Sequence, residues 1–154
     1  MTSPTPAPSY SIPDGAVERA ALHDAIHNTH QASQRLARGV IVVIAAAVRD
    51  ILTNNHPGAP FDAVYAELRE ARDGSLWATG RYWTKNGEDR TFATTEGVED
   101  PDMATYGMNE WVPYLDGSNY DTWGPFVTEL PVDPSRLGRS YRFDLARAAV
   151  LDLG

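Results

Sequence analysis

Residues 91–135 form the part of this chain whose composition points most clearly to chemistry. They include nine carboxylic acids and seven aromatic residues but neither lysine nor arginine. Crowded carboxylates without local counter-ions repel one another, so this segment is most stable when it faces a cationic surface. Tryptophan and tyrosine supply much of the binding energy at protein interfaces, and a charged rim steers the partner. The residues expected to contact a basic protein partner are Glu96, Glu99, Asp100, Asp102, Trp111, Asp116, Tyr120, Asp121 and Trp123.

Four other interpretations of this segment stay open. Its rings can fill a hydrophobic core, because large rings in a domain of this size are usually buried. Residues 116–121 offer several oxygen ligands, as a calcium loop does, but they lack the spacing and closing glutamate of the helix–loop–helix calcium motif. A turn in which these side chains bond their own backbone explains them equally well. Trp111, Tyr120 and Trp123 can also line a binding site for a sugar or another small ligand.

A second group of candidate residues consists of three histidines, His23, His27 and His30. On a helix their spacing places all three within about 60° of one another. Imidazoles one turn apart can share a metal ion. A zinc hydrolase would also need further ligands and a general base, for which only Asp24 or a distant acid such as Glu110 is available. The alternative is that the histidines form the polar flank of an amphipathic helix.

Several classes of function are excluded by composition and motif. The chain has no cysteine, so disulfides, thiolate metal sites and cysteine nucleophiles are impossible. It contains no glycine-rich phosphate loop with lysine, no dinucleotide fingerprint, no Gly-x-Ser-x-Gly elbow and no His-Glu-x-x-His sequence. No cofactor is therefore expected.

The net charge of −8 is concentrated in the second part of the chain. Residues 1–56 contain four acids and four bases, whereas residues 57–154 contain 17 acids and nine bases. Nucleic acid is not expected as a partner, because duplex binding requires clustered lysine and arginine. The longest apolar run, residues 40–48, is far shorter than the roughly 20 residues that span a bilayer. Because residues 1–12 also lack the features of a secretory signal, we expect a cytoplasmic protein without a membrane segment.

The elements that must position these residues begin with a long helical segment. Residues 1–12 are expected to form a flexible extension, followed by a single α+β domain over residues 13–154. A helix should begin near Asp14, whose carboxylate can cap it, and continue to Asn54. One apolar stripe runs the length of this segment and must be buried. It comprises Leu22, Ile26, Thr29, Ser33, Leu36, Val40, Ile44, Ala47 and Ile51.

The length of this helical segment creates a difficulty. A straight helix of forty residues would be about 60 Å long, so we expect a break or kink at Gly39, with projection toward a partner as the alternative. Residues 40–48 are apolar on every side, which is typical of a central helix or an oligomer interface, and a homo-oligomer is therefore plausible. The β-branched residues 40–44 also suit a strand, but the three alanines that follow favour helix.

Residues 61–95 alternate with a period of two and predict a three-stranded antiparallel meander. A three-residue loop at 72–74 pairs Leu68 with Ala78 and Val64 with Tyr82. The Asn86-Gly87 pair predicts a two-residue turn that places Trp83 opposite Arg90.

One face of this predicted sheet carries small aliphatic side chains and should pack on the apolar helix. The other face is too apolar to be merely solvated, so we expect the later half of the chain to cover it, with a partner as the alternative. The large residues expected on that face are Tyr65, Trp77, Arg81, Trp83, Arg90 and Phe92.

The remaining elements complete an α+β fold. A linker is expected at residues 131–135, followed by a strand over residues 140–145 and a short helix. The function expected from charge is that of a non-enzymatic intracellular binding protein that presents an acidic aromatic surface to a basic protein, as an inhibitor, an immunity protein or a nucleic-acid mimic does. The alternatives are a metal-dependent hydrolase that uses the histidines, and a small-ligand or sugar-binding module.

Overall fold

A computed structural model describes residues 4, 11–12, 14–56, 58–136 and 138–153. Most of the expected flexible extension, residues 1–12, lies outside the described residues. The short connections include four 3₁₀ helices at residues 92–94, 112–114, 117–119 and 124–126. The helices and strands are α1 (Ala16–Thr53), β1 (Ala63–Glu70), β2 (Leu76–Thr84), β3 (Asp89–Thr91), α2 (Pro101–Met108), α3 (Tyr120–Trp123), β4 (Val127–Glu129), β5 (Ser140–Asp144) and α4 (Leu145–Ala149).

The fold class is α+β, as predicted. The five strands form one antiparallel sheet in the order β3-β2-β1-β5-β4. The long N-terminal helix packs against it, and a short strand and helix lie near the C-terminal end.

Helix α1 runs without interruption through Gly39, so of the predicted break or kink the break is wrong. A mid-helix glycine costs only about 1 kcal/mol, which is too little to break a helix whose next turns are buried. Residues 40–48 are helical, which excludes the strand alternative. The start also differs from the prediction, because Gly15 occupies the N-cap in a left-handed conformation and Asp14 provides no cap. At the other end, the Asn54 N–H bonds two carbonyls of the last turn.

Only the C-terminal half of α1 contributes to the core. Residues 16–32, the helix arm, are all exposed, and Leu22 and Ile26 are each 59% accessible to solvent. The expectation that the whole apolar stripe is buried is therefore right for Val40 and Ile44 but wrong for the arm. At about 1.5 Å per residue the arm is roughly 25 Å long. The buried apolar residues of α1 are Ala37, Val40, Ile41, Ile44, Ala45 and Val48.

The first hairpin closes as predicted. Its loop at residues 72–74 ends with Gly74 at φ 85°, and the Ala71 N–H donates to the Ser75 carbonyl at 2.8 Å. A glycine suits this position because the left-handed region carries a steric penalty for other residues. The predicted pairing of Leu68 with Ala78 follows.

Further along the same hairpin the pairing shifts at a bulge in β2. Tyr82 lies opposite Ala66 and not opposite Val64. Between this pair and the pair of Leu68 with Ala78, β2 has two more residues than β1. Gly80 lies within the bulge at φ 87°. A bulge of this kind re-aims the side chains around it.

The second hairpin differs from its prediction. The Thr84 N–H donates to the Glu88 carbonyl at 2.9 Å, so the loop has three residues, 85–87, and Gly87 has φ 81°. The additional loop residue places Asp89 opposite Trp83, and the predicted Trp83 to Arg90 pair does not form.

The C-terminal strand and helix are confirmed as β5 and α4. The sequence did not indicate that β5 lies between β1 and β4. It pairs with β1 from Ser140 opposite Arg69 to Asp144 opposite Tyr65. Asp144 then caps α4, because its carboxylate accepts the Arg147 N–H at 3.1 Å.

Segment 91–135 packs against the same core as α1. The Leu76 N–H donates to the Leu115 carbonyl at 2.9 Å, so this segment also satisfies the edge of β2 that β3 leaves unpaired. Some of the aromatic residues of segment 91–135 are therefore buried in the core. The buried members of this segment in the core are Phe92, Met108, Val112, Leu115 and Trp123.

The opposite face of the sheet is covered in a way that the sequence did not predict. Trp83 is only 5% exposed, because the guanidinium groups of Arg81 and Arg142 lie 4.6 and 4.5 Å from its ring centroid. One arginine comes from β2 and the other from β5, which belongs to the later half of the chain. Phe92 and Arg90 do not belong to this face, since Phe92 is buried in the core and Arg90 shares the side of Tyr82.

Candidate functional site

Helix α2 is the centre of the acidic surface. Asp100 caps it by accepting the Met103 N–H at 3.2 Å, and Pro101 occupies its first turn, where a missing N–H costs nothing. Asn109 holds its C-terminal end against β2. The Asn109 side chain accepts the Ala78 N–H at 2.7 Å and donates to the Ala78 carbonyl at 2.9 Å.

The outer face of α2 combines apolar and acidic side chains. Met103 is 60% exposed and Tyr106 is 65% exposed, although both are large enough to favour burial. Glu99 and Asp102 are exposed beside them in sequence. Met103 and Tyr106 are three residues apart and therefore neighbours on the helix surface. The sequence prediction included the acids but missed these two residues.

A groove of about 500 Å³ lies between the C-terminal end of α1 and α2. Ile51, Val98 and Met108 are among its apolar lining residues. Its acidic lining residues are Asp50, Glu99 and Asp100, and its lining includes neither lysine nor arginine. Asp50 already pairs with the neighbouring Arg49 at 3.0 Å, and Asp100 accepts a hydrogen bond from α2. Among the described residues, Glu99 is therefore the groove acid with neither an ion pair nor a capping bond.

Seven of the nine carboxylates of residues 91–135 have no ion-pair partner within 4 Å in the described part of the chain. The exceptions are Glu129, which pairs with Arg139 at 3.7 Å, and Asp133, which pairs with Arg136 at 3.5 Å. Hydrogen bonds from the side chain and backbone of Ser135 lower the pKa of Asp133. The seven unpaired carboxylates are Glu96, Glu99, Asp100, Asp102, Glu110, Asp116 and Asp121.

The structure separates the predicted partner-binding residues into two groups. Glu96, Glu99, Asp100 and Asp102 lie exposed at or before the first turn of α2, whereas the residues from 111 onward are more varied. Trp111 and Asp116 are half-buried, and Tyr120 and Asp121 are exposed. Trp123 is only 3% exposed and donates its indole N–H to the Asp116 carbonyl at 2.8 Å.

Residues 116–121 form a capped turn. The Asp116 carboxylate accepts the Ser118 N–H at 2.8 Å, and the side-chain oxygen of Asn119 accepts the Asp116 N–H at 2.9 Å. Asn119 is almost fully buried and donates to the Tyr114 carbonyl. One carboxylate oxygen of Asp116 and the side-chain oxygen of Asn119, which suggested a calcium loop, are therefore used within the turn itself.

The three histidines lie on the exposed helix arm. His23, His27 and His30 are all exposed, and the Nε2 atom of His30 is 3.0 Å from the Gln34 amide nitrogen. Across the described residues, no group of three or more histidines or acids is placed to hold a metal ion. The geometry therefore adds no support to the metal prediction.

A buried polar network on the arginine-covered face was also missed by the sequence prediction. Glu67 is only 3% exposed and accepts hydrogen bonds from Thr79 Oγ1 at 2.9 Å and Arg81 Nη1 at 3.1 Å. Arg81 Nε also donates to Asp89 at 3.2 Å. The bulge at Gly80 makes the first two contacts possible, because it brings both flanking residues of β2 to one residue of β1. The only indication of this network in the sequence was an acidic residue, Glu67, in the middle of a strand in which apolar and polar residues alternate.

Comparison with family models, curated proteins and solved structures gave no match to this chain. Within the described residues, no helix is both long enough and apolar enough to cross a membrane.

Proposed function

We propose that this chain is a non-enzymatic binding protein whose α2 surface binds a cationic segment of a protein partner. The observation that supports this most directly is the exposure of Met103 and Tyr106 beside carboxylates that have no ion-pair partner. Exposed apolar side chains within a charged rim are typical of a contact surface.

The groove between α1 and α2 suits a lysine or arginine side chain of the partner. The stem of such a side chain is apolar and can lie on Ile51 and Val98, while its charged end reaches the carboxylates of Glu99 and Asp100. The groove lining includes neither lysine nor arginine, and among the described residues only Asp50 of its three acids has an ion-pair partner, Arg49. Met103 provides a further apolar contact in the groove lining, and Tyr106 provides one outside it.

The charge distribution favours a basic partner over a neutral one. Residues 57–154 carry the entire net charge of −8. An extended acidic field increases the rate at which a cationic protein encounters this surface, and it repels nucleic acid and other polyanions. An inhibitor, an immunity protein or a nucleic-acid mimic works in this way, and the cytoplasmic location expected from the sequence suits each of them. No contact among the described residues favours the hydrolase alternative. Tyr120 and Trp123 of the predicted sugar site line one groove of about 480 Å³, but Trp111 does not.

The test measures binding of a labelled hexa-arginine peptide by fluorescence anisotropy. We expect the dissociation constant to rise about 10-fold or more between low salt and about 200 mM salt, because surface charge pairs are screened. We also expect Glu99→Lys combined with Asp102→Lys to weaken binding about 10-fold or more at low salt, since four units of charge change at the site.

The matched control is Glu88→Lys combined with Glu129→Lys. This pair changes the net charge by the same amount at exposed positions far from α2 in sequence, and each residue makes only a surface ion pair. We expect the control to weaken peptide binding about 3-fold or less. Equal losses in the two double variants would show that net charge alone attracts the peptide, and the proposed site would be rejected. Binding that does not respond to salt would reject it as well.

A further inference from the structure

The exposed residues of α1 carry a second repeating pattern, which shares Leu22, Thr29 and Leu36 with the apolar stripe and turns away from the core-packing face toward Val43. Large and small residues alternate at a heptad spacing over four turns or more, and this stripe continues from the arm along the body of the protein. Leu22, Leu36 and Val43 remain 59%, 47% and 44% exposed. The larger positions are Leu22, Thr29, Leu36 and Val43, and the smaller positions between them are Ala25, Ala32, Gly39 and Ala46.

This stripe is complementary to itself. When two identical helices pair in opposite directions about a centre between Thr29 and Ala32, the heptad spacing brings Leu22, Thr29 and Leu36 opposite small residues. Leu22 then lies opposite Gly39 of the second copy, and Leu36 lies opposite Ala25 of the second copy. Small residues at these positions let the two helix backbones approach closely. The heptad spacing is the sequence signature of helices that pack along a common seam.

Gly39 supports this pairing independently. No described atom lies within 4 Å of the position that its Cβ would occupy, so nothing in the described chain requires a glycine there. Its backbone is ordinary helix, and a mid-helix glycine lowers helix stability. A close approach by Leu22 of a second copy gives this glycine a structural role.

The charges of the chain favour a second copy as the occupant and an antiparallel direction. Helix α1 contains three acids and four bases, so it is not part of the acidic field of the molecule. Asp24 and Arg35 lie on the same flank of the stripe, about 20° apart around the helix. In the antiparallel pair each Asp24 lies near Arg35 of the second copy. In a parallel pair the same flanks of the two copies lie on opposite sides of the seam, so this contact would not form.

The antiparallel direction also separates the two acidic bodies. The pairing centre lies between Thr29 and Ala32, whereas the buried part of α1 is centred near residue 45. At 1.5 Å per residue, the two bodies are about 40 Å apart along the helix axis. This distance exceeds the Debye length of about 8 Å at physiological salt, so the bodies repel each other only weakly.

We infer that this chain forms a homodimer through antiparallel pairing of its α1 helices along the stripe of Leu22, Ala25, Thr29, Ala32, Leu36 and Gly39. The inference is independent of the α2 surface, which faces a cationic partner. It also assigns a role to the helix arm, whose apolar residues have no cover within the described chain.

Sedimentation velocity of the full chain tests the oligomeric state. We expect a species of twice the 16.9 kDa chain mass at micromolar concentration. Leu22→Glu combined with Leu36→Glu should yield the monomer, with helix content retained because both positions are exposed and glutamate is a good helix former. The control, Ala20→Glu combined with Gln31→Glu, adds the same charge on the opposite side of the arm and should remain dimeric.

Cross-linking tests the direction of pairing. The chain contains no cysteine, so an introduced thiol is the only one present. A mixture of the Ala25→Cys and Leu36→Cys chains should form a mixed disulfide, whereas Ala25→Cys alone should not cross-link. A monomer throughout the micromolar range would overturn the inference, as would a dimer that survives the Leu22 and Leu36 substitutions. Cross-linking of Ala25→Cys with itself would overturn the antiparallel direction.

Discussion

Replacing Asn109 tests how the acidic surface is attached to the sheet. The Asn109 amide bonds both the N–H and the carbonyl of Ala78, at 2.7 and 2.9 Å, and Ala78 is buried. Asn109→Ala removes both of these hydrogen bonds and leaves the N–H and the carbonyl of Ala78 without their side-chain partner. Each net hydrogen bond contributes about 1 kcal/mol, and leaving a buried group without a partner costs more. Because Asn109 is itself half-buried, water can bond some of the groups that lose their partner. We therefore expect the free energy of unfolding to fall by about 2 kcal/mol.

Asn109→Asp provides a sharper version of the same test. The aspartate has nearly the same shape, but its ionised carboxylate accepts hydrogen bonds only and therefore repels the Ala78 carbonyl. We expect a loss of about 3 kcal/mol at pH 7, larger than that of Asn109→Ala. Protonation supplies a donor, and because the folded state disfavours the ionised form, the folded pKa of this aspartate is raised. The deficit relative to the native chain should therefore shrink as the pH falls from 7 toward about 4.

Urea unfolding followed by circular dichroism measures these differences. Asn28→Ala is the control, because Asn28 lies exposed on the helix arm, and its replacement should change the free energy of unfolding by about 0.5 kcal/mol or less. If Asn109→Asp matched the native chain at pH 7, the paired hydrogen bonds to Ala78 would not hold α2 in place. A deficit of Asn109→Asp that stayed constant at low pH would refute the argument about the donor.

Three further predictions concern other parts of the fold. Glu67→Ala should lower the free energy of unfolding by about 2 kcal/mol, less than a fully broken buried pair, because Arg81 keeps a second carboxylate partner. Gly80→Ala should cost about 2 kcal/mol in the same urea assay, since φ is 87° and the new Cβ would lie 3.1 Å from a threonine hydroxyl of α2. Hydrogen bonds from Ser75 lower the pKa of Asp73, so Ser75→Ala should raise that pKa in an NMR titration. Because the native pKa is lowered, the stabilisation by Asp73 is present above its ordinary pKa and is lost as the pH falls through the folded value.

Each of these three predictions has an outcome that contradicts it. A Glu67→Ala chain as stable as the native one would mean that the buried carboxylate makes no net contribution. A neutral Gly80→Ala would mean that the bulge relaxes without strain. An unchanged Asp73 titration in Ser75→Ala would remove the proposed cause of the lowered pKa.

Local patterns in the sequence predicted much of the fold. The alternation of residues 61–95 predicted the meander, and the left-handed preference of glycine predicted the 72–74 loop. The apolar periodicity predicted α1 over nearly its whole length. These features depend on neighbouring residues, and the sequence therefore reveals them directly.

Features that depend on distant contacts were missed. The bulge at Gly80 is accommodated by α2 and by the position of Glu67, neither of which is adjacent in the chain. The placement of β5 between β1 and β4 depends on long-range pairing. Gly39 was expected to break α1, but burial of the turns that follow it outweighs the small cost of a glycine.

The candidate site was predicted only in outline. Composition identified the acidic segment, but it could not distinguish Trp123, which is buried in the core, from Tyr106, which is exposed on α2. Both are large aromatic residues with acidic neighbours, and only the tertiary packing separates them. Asn109 carried no recognisable signal, since its role depends on one backbone unit of β2.

Mapping of amide chemical shifts by NMR during addition of the hexa-arginine peptide tests the central claim most directly. We expect the largest changes at residues 96–108 and at the C-terminal end of α1, which together border the groove. These changes should disappear in the chain that carries Glu99→Lys and Asp102→Lys. Changes concentrated at the 84–88 hairpin loop or near β4, or an unaltered pattern in the substituted chain, would contradict the proposal that α2 presents the cation-binding surface.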